Sequence, residues 1–178
     1  YNYLSHDRPE LLFSAKELAR YMQTPDEHDM NALRRACRFL IEHPRVVQVF
    51  KLQVRPGGLV MYSDSDHAGC VRTRRSTSCT MAMLGKHCLR ATSTTQNTIA
   101  QSSAESEFYA AVKSTSIGLG FVSLCEDLGM KFPNAVEIRI DASACLGIAA
   151  RRGAGQIRHI ATPTLWLQQA VHHGKVAV

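Results

Sequence analysis

A long helix-forming stretch, from about residue 103 to residue 128, most constrains the fold of this chain. It carries apolar residues at helical spacing, and we expect it to be interrupted by Gly118 and Gly120 and stopped by Gly129. Apolar, β-branched runs typical of strands precede it, and another follows at residues 135–141. Because a strand–helix–strand connection is right-handed and leaves its strands parallel, the sequence predicts an α/β domain with a mixed sheet.

Three strands are predicted before the long helix, at residues 59–64, 76–84 and 88–94. Gly85 and Lys86 separate the last two and indicate a hairpin. After the strand at 135–141, short helices are predicted near residues 143–150 and 163–173. A fifth strand then begins at Lys175. The pattern therefore predicts a five-stranded sheet with helices packed on it.

The first 45 residues differ from the rest because their apolar positions have helical spacing. Helices are predicted at residues 12–23 and 29–42, with Asp29 as the N-cap of the second. A β-branched run at residues 46–54 follows Pro44. We expect residues 1–45 to form a helical segment without strands and residues 46–178 to form the sheet domain.

Composition excludes several classes of protein. With 45% hydrophobic residues the chain can bury a core without disulfides, and its six cysteines form no CxxC pair that would indicate a zinc knuckle. There is no run of 18 apolar residues and no leader-like segment, so we expect an intracellular, non-secreted protein without a membrane span. The net charge of +6 favours polyanionic partners such as nucleic acid.

Acidic residues are scarce, with 15 in the chain, yet several stand at the ends of predicted elements. Asp64 and Asp141 close two strands, and Glu105 and Glu107 lie at the start of the long helix. Carboxylates that converge in this way can hold a pair of hard cations, which clamp the attacking and leaving oxygens of a phosphodiester. A solvated aspartate at a turn and a glutamate favoured by the helix dipole are the simpler alternatives.

Four motifs in register resemble the ribonuclease H region of copia-type retrotransposon Pol polyproteins. They are YSDSDHAGC at residues 62–70, TRRSTS at 73–78, QSSAESEFYA at 101–110 and RHI at 158–160. Further upstream, the segments 3–4, 7–10, 16–20 and 38–40 are similar to the end of the reverse transcriptase of the same polyprotein. The resemblance covers nearly the whole chain. It implies a ribonuclease H-like three-layer α/β fold with a five-stranded mixed sheet, preceded by the N-terminal helical segment.

The resemblance also implies a function and a set of site residues. The family's carboxylates fall on Asp64, Glu107 and Asp141, which would hold Mg²⁺, or Mn²⁺, and cleave the RNA strand of an RNA–DNA hybrid as an endonuclease. Glu107 matches the Glu-x-x-Ala form of the helix motif, with Ala110 as its alanine. Glu105 and Glu107 lie about 200° apart around a helix, so both cannot serve. The helical wheel itself does not choose between them.

Three departures from the family leave activity open. The family's fourth carboxylate lies beyond the last strand, and this sequence ends at Val178, before that segment. Ala161 stands where an acidic residue is common, and His67 where an aromatic residue is expected. We therefore expect a weakened metal site. The alternative hypothesis is an inactive ribonuclease H-like module that serves as a structural or RNA-binding subunit, with protein and RNA neighbours in a ribonucleoprotein assembly.

Two basic loops are candidates for contacts with the phosphate backbone. Arg72, Arg74 and Arg75 follow the strand that carries Asp64, and Arg151 and Arg152 follow the short helix after Asp141. If both loops flank the carboxylates, they neutralise phosphates around the site. A solvated charge run fits the same residues.

Overall fold

The computed structural model describes residues 1–153, 155 and 162–178. The chain divides into two compact units, Tyr1–Lys51 and Leu52–Val178. The motif at residues 158–160 and Ala161 lie outside the described residues. The predicted assignment of residues 1–45 and 46–178 to two functional regions stays a prediction.

The first unit consists of helices α1 (Asn2–Ser5), α2 (Leu12–Arg20) and α3 (Glu27–Glu42), with a 3₁₀ turn at Pro9–Leu11. Residues 1–51 contain no strand, as expected, and the run at residues 46–54 forms no regular secondary structure. The predicted N-cap of α3 is wrong. Asp26 caps the helix by accepting from the Asp29 N–H at 2.8 Å, and the Asp29 carboxylate accepts from the Asp26 N–H at 3.1 Å.

The second unit is built on a five-stranded mixed sheet in the order β3-β2-β1-β4-β5. Neighbouring strands are antiparallel between β1 and β2 and between β2 and β3, and parallel between β1 and β4 and between β4 and β5. This arrangement confirms the ribonuclease H-like sheet predicted from the sequence. The strands are β1 (Leu59–Ser65), β2 (Thr77–Leu84), β3 (His87–Thr95), β4 (Val136–Arg139) and β5 (Val176–Ala177).

The hairpin between β2 and β3 turns at Gly85, as predicted. Gly85 has φ +61°, a left-handed conformation that favours glycine at a tight turn. β4 is shorter than expected and ends at Arg139, so Asp141 follows two residues beyond it rather than closing the strand. β5 likewise begins at Val176 instead of Lys175.

Helix α4 (Ser103–Asp127) runs without interruption through Gly118 and Gly120. A Cβ on Gly118 would lie 2.9 Å from Met61 Cγ and from Val136 Cγ1, so the missing side chain allows helix and sheet to approach closely. By length and composition alone α4 could cross a membrane, which the sequence reading did not predict. Its packing against β1, β2 and β4 accounts for its apolar residues.

Helices α5 (Ser143–Ala150) and α6 (Trp166–His172) complete the unit. The predicted helix at residues 163–173 is a 3₁₀ turn at Thr162–Leu165 followed by α6. Two buried clusters join these helices and α4 to the face of the sheet that carries Met61 and Ile138. On the opposite face Tyr62 and Met81 are exposed, and among the described residues the helices of this unit lie on the first face.

Candidate active site

Two parallel strands deliver two of the predicted carboxylates to one edge of the sheet. β1 and β4 are neighbours with Tyr62 opposite Arg139, so the chain leaves both strands in the same direction. Asp64 is the last residue but one of β1, and Asp141 lies just past β4. Both side chains are exposed, which leaves the edge open to a ligand from solvent.

The third carboxylate comes from the first turns of α4. Ser102 caps the helix by accepting a hydrogen bond from the Glu105 N–H at 3.2 Å, and this fixes where the helix starts. Glu107 then lies beside the ends of β1 and β4. One carboxylate oxygen from each of Asp64, Glu107 and Asp141 lies within 4.8 Å of the others. The structure thus brings together the three acidic residues singled out in the sequence.

Glu105 and Glu107 occupy different environments. Glu105 is 1% exposed, and its carboxylate accepts from the Tyr109 hydroxyl at 2.9 Å and from the Gln101 N–H at 2.8 Å. Glu107 Oε1 accepts from the Ser65 N–H at 3.1 Å, while Oε2 is buried with no hydrogen-bond partner among the described residues. Glu105 therefore stabilises the start of α4, whereas Glu107 belongs to the carboxylate cluster.

The cluster shifts the ionisation of two buried groups. The pKa of Glu107 is raised to about 7 because burial disfavours the charged carboxylate and because Asp64 and Asp141 repel it, while the hydrogen bond from Ser65 acts in the opposite direction. Burial, with smaller contributions from Glu107 and Asp141, raises the pKa of the Cys145 thiol to about 12. Near neutral pH the three carboxyl groups of the cluster therefore concentrate negative charge, which a bound cation would neutralise.

These residues fit a hard divalent cation. Carboxylate oxygens are the donors that Mg²⁺ and Mn²⁺ prefer, and the three come from separate elements of a packed domain. The unpaired Oε2 of Glu107 offers a lone pair that the described protein groups do not use. Cys145 stays protonated at neutral pH and is a softer donor, so it does not change this preference.

The loop after β1 is held by its own hydrogen bonds. Asp66 accepts from the Thr77 N–H, and the Ala68 N–H donates to Ser76 Oγ at 3.0 Å. A Cβ on Gly69 would lie 2.2 Å from Asp66 Oδ2, so a larger residue there would require the Asp66 carboxylate to move. Asp66 therefore organises the loop and does not belong to the cluster.

Arg72, Arg74 and Arg75 are exposed on this loop, at the sheet edge to which Asp64 belongs. The loop leaves β1 and re-enters the sheet at β2, where Asp64 pairs with Cys79. Arg74 adopts a left-handed conformation with φ +57° and donates its N–H to the Cys70 carbonyl at 2.7 Å. The loop thus presents positive charge near the carboxylates.

The other predicted basic pair lies elsewhere. Arg151 ends α5, whose eight residues separate it from the Asp141 end by on the order of 12 Å. The segment that contains Arg151 and Arg152 is hydrogen-bonded to Gln168 through the next residue, Gly153. The Gln168 side chain accepts from the Gly153 N–H at 2.9 Å and donates to the Gly153 carbonyl at 3.1 Å.

Two residues near the site were missed by the sequence reading. The Ser65 N–H donates both to Asp64 Oδ1 at 2.8 Å and to Glu107 Oε1 at 3.1 Å, and so connects two of the carboxylates. Cys145 is fully buried in the first turn of α5, close enough for Glu107 and Asp141 to help raise the pKa of its thiol. A backbone donor carries no signal in the sequence, and a single cysteine in an apolar helix suggests only a core position.

The chain is similar in sequence to retrotransposon polyproteins over almost its whole length. No protein-family model matches it. It is 30% identical over 178 residues to the retrovirus-related Pol polyprotein from transposon RE2 of Arabidopsis thaliana, and 27% identical over 177 residues to that from transposon RE1. Each match covers 99% of this chain and 12% of the relative, so the chain spans about an eighth of the length of these curated relatives.

Two further likenesses are shorter or more distant. The secreted RxLR effector protein 161 of Plasmopara viticola is 35% identical over 111 residues, which is 61% of this chain and 75% of the effector. The solved structure of LC11-RNase H1, isolated from compost by a metagenomic approach, is 14% identical with a TM-score of 0.44. That likeness covers 68% of this chain and 81% of the LC11 chain.

Proposed function

Because the chain belongs to the copia-type retrotransposon Pol polyproteins and corresponds to their ribonuclease H region, we propose that it is a ribonuclease H-type endonuclease domain. Its substrate is the RNA strand of an RNA–DNA hybrid. The observation that carries the proposal is the cluster of Asp64, Glu107 and Asp141, whose carboxylate oxygens lie within 4.8 Å of one another.

Asp64, Glu107 and Asp141 are the residues that would hold divalent cations. Asp64 and Asp141 are exposed to the solvent from which a phosphodiester approaches. Glu107 is buried and completes the cluster on the side of the protein interior. The Ser65 N–H fixes the orientation of Asp64 and Glu107 relative to each other. Mg²⁺ or Mn²⁺ held by these carboxylates would supply an activated water and positive charge against the leaving oxygen.

The loop with Arg72, Arg74 and Arg75 contacts the phosphate backbone of the hybrid. Its position at the same sheet edge as Asp64 and its internal hydrogen bonds support this role, because a preformed basic loop binds phosphates with little loss of conformational entropy. Arg151 and Arg152 lie about one length of α5 away from Asp141, so they contact a more distant part of the same nucleic acid.

The first residues of the chain come from a neighbouring region of the polyprotein. We propose that residues 1–45 correspond to the C-terminal end of the reverse transcriptase. The match to the RE2 polyprotein extends over 99% of the chain and therefore includes this segment. The segment consists of three α-helices and a 3₁₀ turn and contains no strand. The protein then acts as part of a larger assembly with nucleic acid.

Cleavage of a labelled hybrid by the whole chain tests the nuclease proposal. We expect the RNA strand to be cut with Mg²⁺ or Mn²⁺ and to stay intact with a chelator. Asp64→Asn should abolish cutting, because it removes a charged ligand. Asp127→Asn is the matched control, since Asp127 is exposed at the far end of α4. A parent chain that binds hybrids but never cuts them would contradict the nuclease and favour the inactive binding module.

A further inference from the structure

Gln96 joins three elements of the domain immediately behind the carboxylate cluster. It is 8% exposed and follows β3, where its N–H donates to the Ser76 carbonyl at 2.8 Å. Its side-chain Nε2 lies 3.2 Å from Ser65 Oγ on β1, 2.9 Å from Ser78 Oγ on β2 and 2.8 Å from the Ser106 carbonyl on α4. One amide therefore connects two strands with the central helix.

The residues that Gln96 contacts lie next to the cation ligands in the chain. Ser65 follows Asp64, and its N–H donates to the carboxylates of both Asp64 and Glu107. Ser106 precedes Glu107, so its carbonyl belongs to the peptide group that leads into that ligand. A shift of Gln96 would move the end of β1 and the first turns of α4 relative to each other.

The orientation of the amide follows from its partners. The Ser106 carbonyl only accepts, so Nε2 must face it, whereas the hydroxyls of Ser65 and Ser78 can adapt. The other amide atom, Oε1, is buried and has no hydrogen-bond partner among the described residues. A buried, unsatisfied acceptor costs free energy, so glutamine is not the most stabilising residue that this position could hold.

We propose that Gln96 is a positioning residue that sets the spacing between the Asp64 and Glu107 carboxylates and thereby the affinity of the site for divalent cations. This inference rests on the proposed function, because the spacing matters only if the carboxylates hold cations. Gln96 acts through Ser65 and Ser106 and contacts neither cation nor substrate. Supporting residues of this kind typically change metal affinity by about 10- to 100-fold when they are replaced.

The test measures Mn²⁺ binding to the full chain by calorimetry, with no substrate present. Gln96→Met keeps the length of the side chain and removes its hydrogen bonds, and Gln96→Asn keeps the amide but shortens its reach. Ser114→Ala is the matched control, because the Ser114 and Thr80 hydroxyls also join α4 to β2 in a buried contact of 2.8 Å. That contact lies on the order of 10 Å further along the helix.

We expect both Gln96 variants to bind Mn²⁺ about tenfold or more weakly. Ser114→Ala should lose thermal stability and keep the Mn²⁺ affinity of the parent. In hybrid cleavage, the Gln96 variants should need more Mn²⁺ for half-maximal rate, with the KM for the hybrid unchanged. Rates at saturating Mn²⁺ should recover toward the parent.

The outcomes separate the two proposals. If the parent binds Mn²⁺ and a folded Gln96→Met or Gln96→Asn chain binds it equally well, the positioning role is overturned and the nuclease proposal stands. If Ser114→Ala weakens binding as much as the Gln96 variants, the effect is general loosening of the α4 contact, and the positioning role is again overturned. A parent that binds no Mn²⁺ overturns the proposed function, and the inference with it.

Discussion

The two halves of α4 meet the same sheet through different chemistry. In the first half, polar side chains and the backbone make hydrogen bonds to the sheet and to Gln96 behind it. Ser114 Oγ meets Thr80 Oγ1 at 2.8 Å, and the Ser106 carbonyl accepts from Gln96. Glu107 lies in this first half, which we call the polar end of α4. Its carboxyl group is buried there and its pKa is raised.

The second half of α4 packs through apolar side chains. Gly118 lets the helix approach Met61 and Val136, and Ile117 and Val122 pack against the same core. The two halves of α4 therefore have different roles. Burial of apolar surface at one end stabilises the helix on the sheet, and this holds the polar end in place although its carboxylates repel one another.

The largest effect should come from the two glutamates of the polar end. Glu107→Gln removes a ligand charge, and we expect hybrid cleavage to fall about 100-fold or more, with weaker Mn²⁺ binding. Glu105→Gln should keep Mn²⁺ binding and lose about 1 kcal/mol of stability, because the Gln101 N–H and the Tyr109 hydroxyl lose a charged acceptor while their hydrogen bonds can still form. Cleavage assays, calorimetry and urea unfolding measure these changes. Equal loss of Mn²⁺ binding in both variants would contradict the different roles.

Alanine substitutions at two glycines test how the second half of α4, its apolar end, packs on the sheet. Gly118→Ala should destabilise the domain by about 1–3 kcal/mol, because its Cβ would lie 2.9 Å from atoms of Met61 and Val136. Gly120→Ala should stabilise it by up to about 1 kcal/mol, because Gly120 has open space around it and alanine favours the helix. Urea unfolding compares the two. If both substitutions stabilise the chain, the close packing at Gly118 is not a constraint.

A smaller effect should appear in how the stability of the chain varies with pH when no divalent cation is present. The pKa of Glu107 is raised to about 7 in the folded chain from an ordinary value of 4.5. The folded state therefore keeps a proton that the unfolded state has released, and stability should fall as pH rises from about 4.5 to 7. Solvent at the exposed Asp64 and Asp141 screens this effect and keeps it modest.

Thermal unfolding of the parent and of Glu107→Gln across that pH range isolates the contribution, since the other ionisable groups are the same in both chains. The difference in stability between the two should shrink when Mg²⁺ is added, because a bound cation favours the charged carboxylate. A difference that does not vary with pH would show that Glu107 ionises normally.

The smallest predicted effect concerns the basic loop at the polar end. Arg74→Asn removes one charge and tolerates the left-handed backbone at this position. We expect binding to duplexes, hybrids and structured RNA to weaken about equally, with the slope of log affinity against log salt reduced by about one. Lys131→Asn is the control, since Lys131 is exposed after the other end of α4. An unchanged salt slope for Arg74→Asn would remove this loop from the binding surface.

Much of the fold follows from the sequence alone. Apolar alternation predicts the sheet strands, the glycine at residue 85 marks the hairpin, and the extent of α4 is correct to within one residue. The positions of Asp64 and Asp141 at neighbouring strand ends also follow, because parallel strands joined by a helix end at the same edge. Local signals of this kind depend on residues that are close in the chain.

Other features depend on contacts that local patterns do not encode. Asp26 rather than Asp29 caps α3, because either aspartate can accept from the backbone and only the path of the chain before the helix decides which does. Similarly, a helical wheel gives the angle between Glu105 and Glu107 but not the direction of the sheet. α4 buries serine, threonine, glycine and glutamate along with alanine and phenylalanine, so its polarity does not mark a single buried face.

The order of the elements, the family resemblance and the positions of Asp64 and Asp141 at strand ends can all be obtained from the chain alone. Tertiary structure decided how the site is held together. The Ser65 N–H joins Asp64 to Glu107, and Gln96 connects their two elements, although 31 residues separate Gln96 from Ser65. The physical reason is that hydrogen bonds of this kind form only after the strands pair and the helix docks, so neither spacing nor propensity in the chain reveals them.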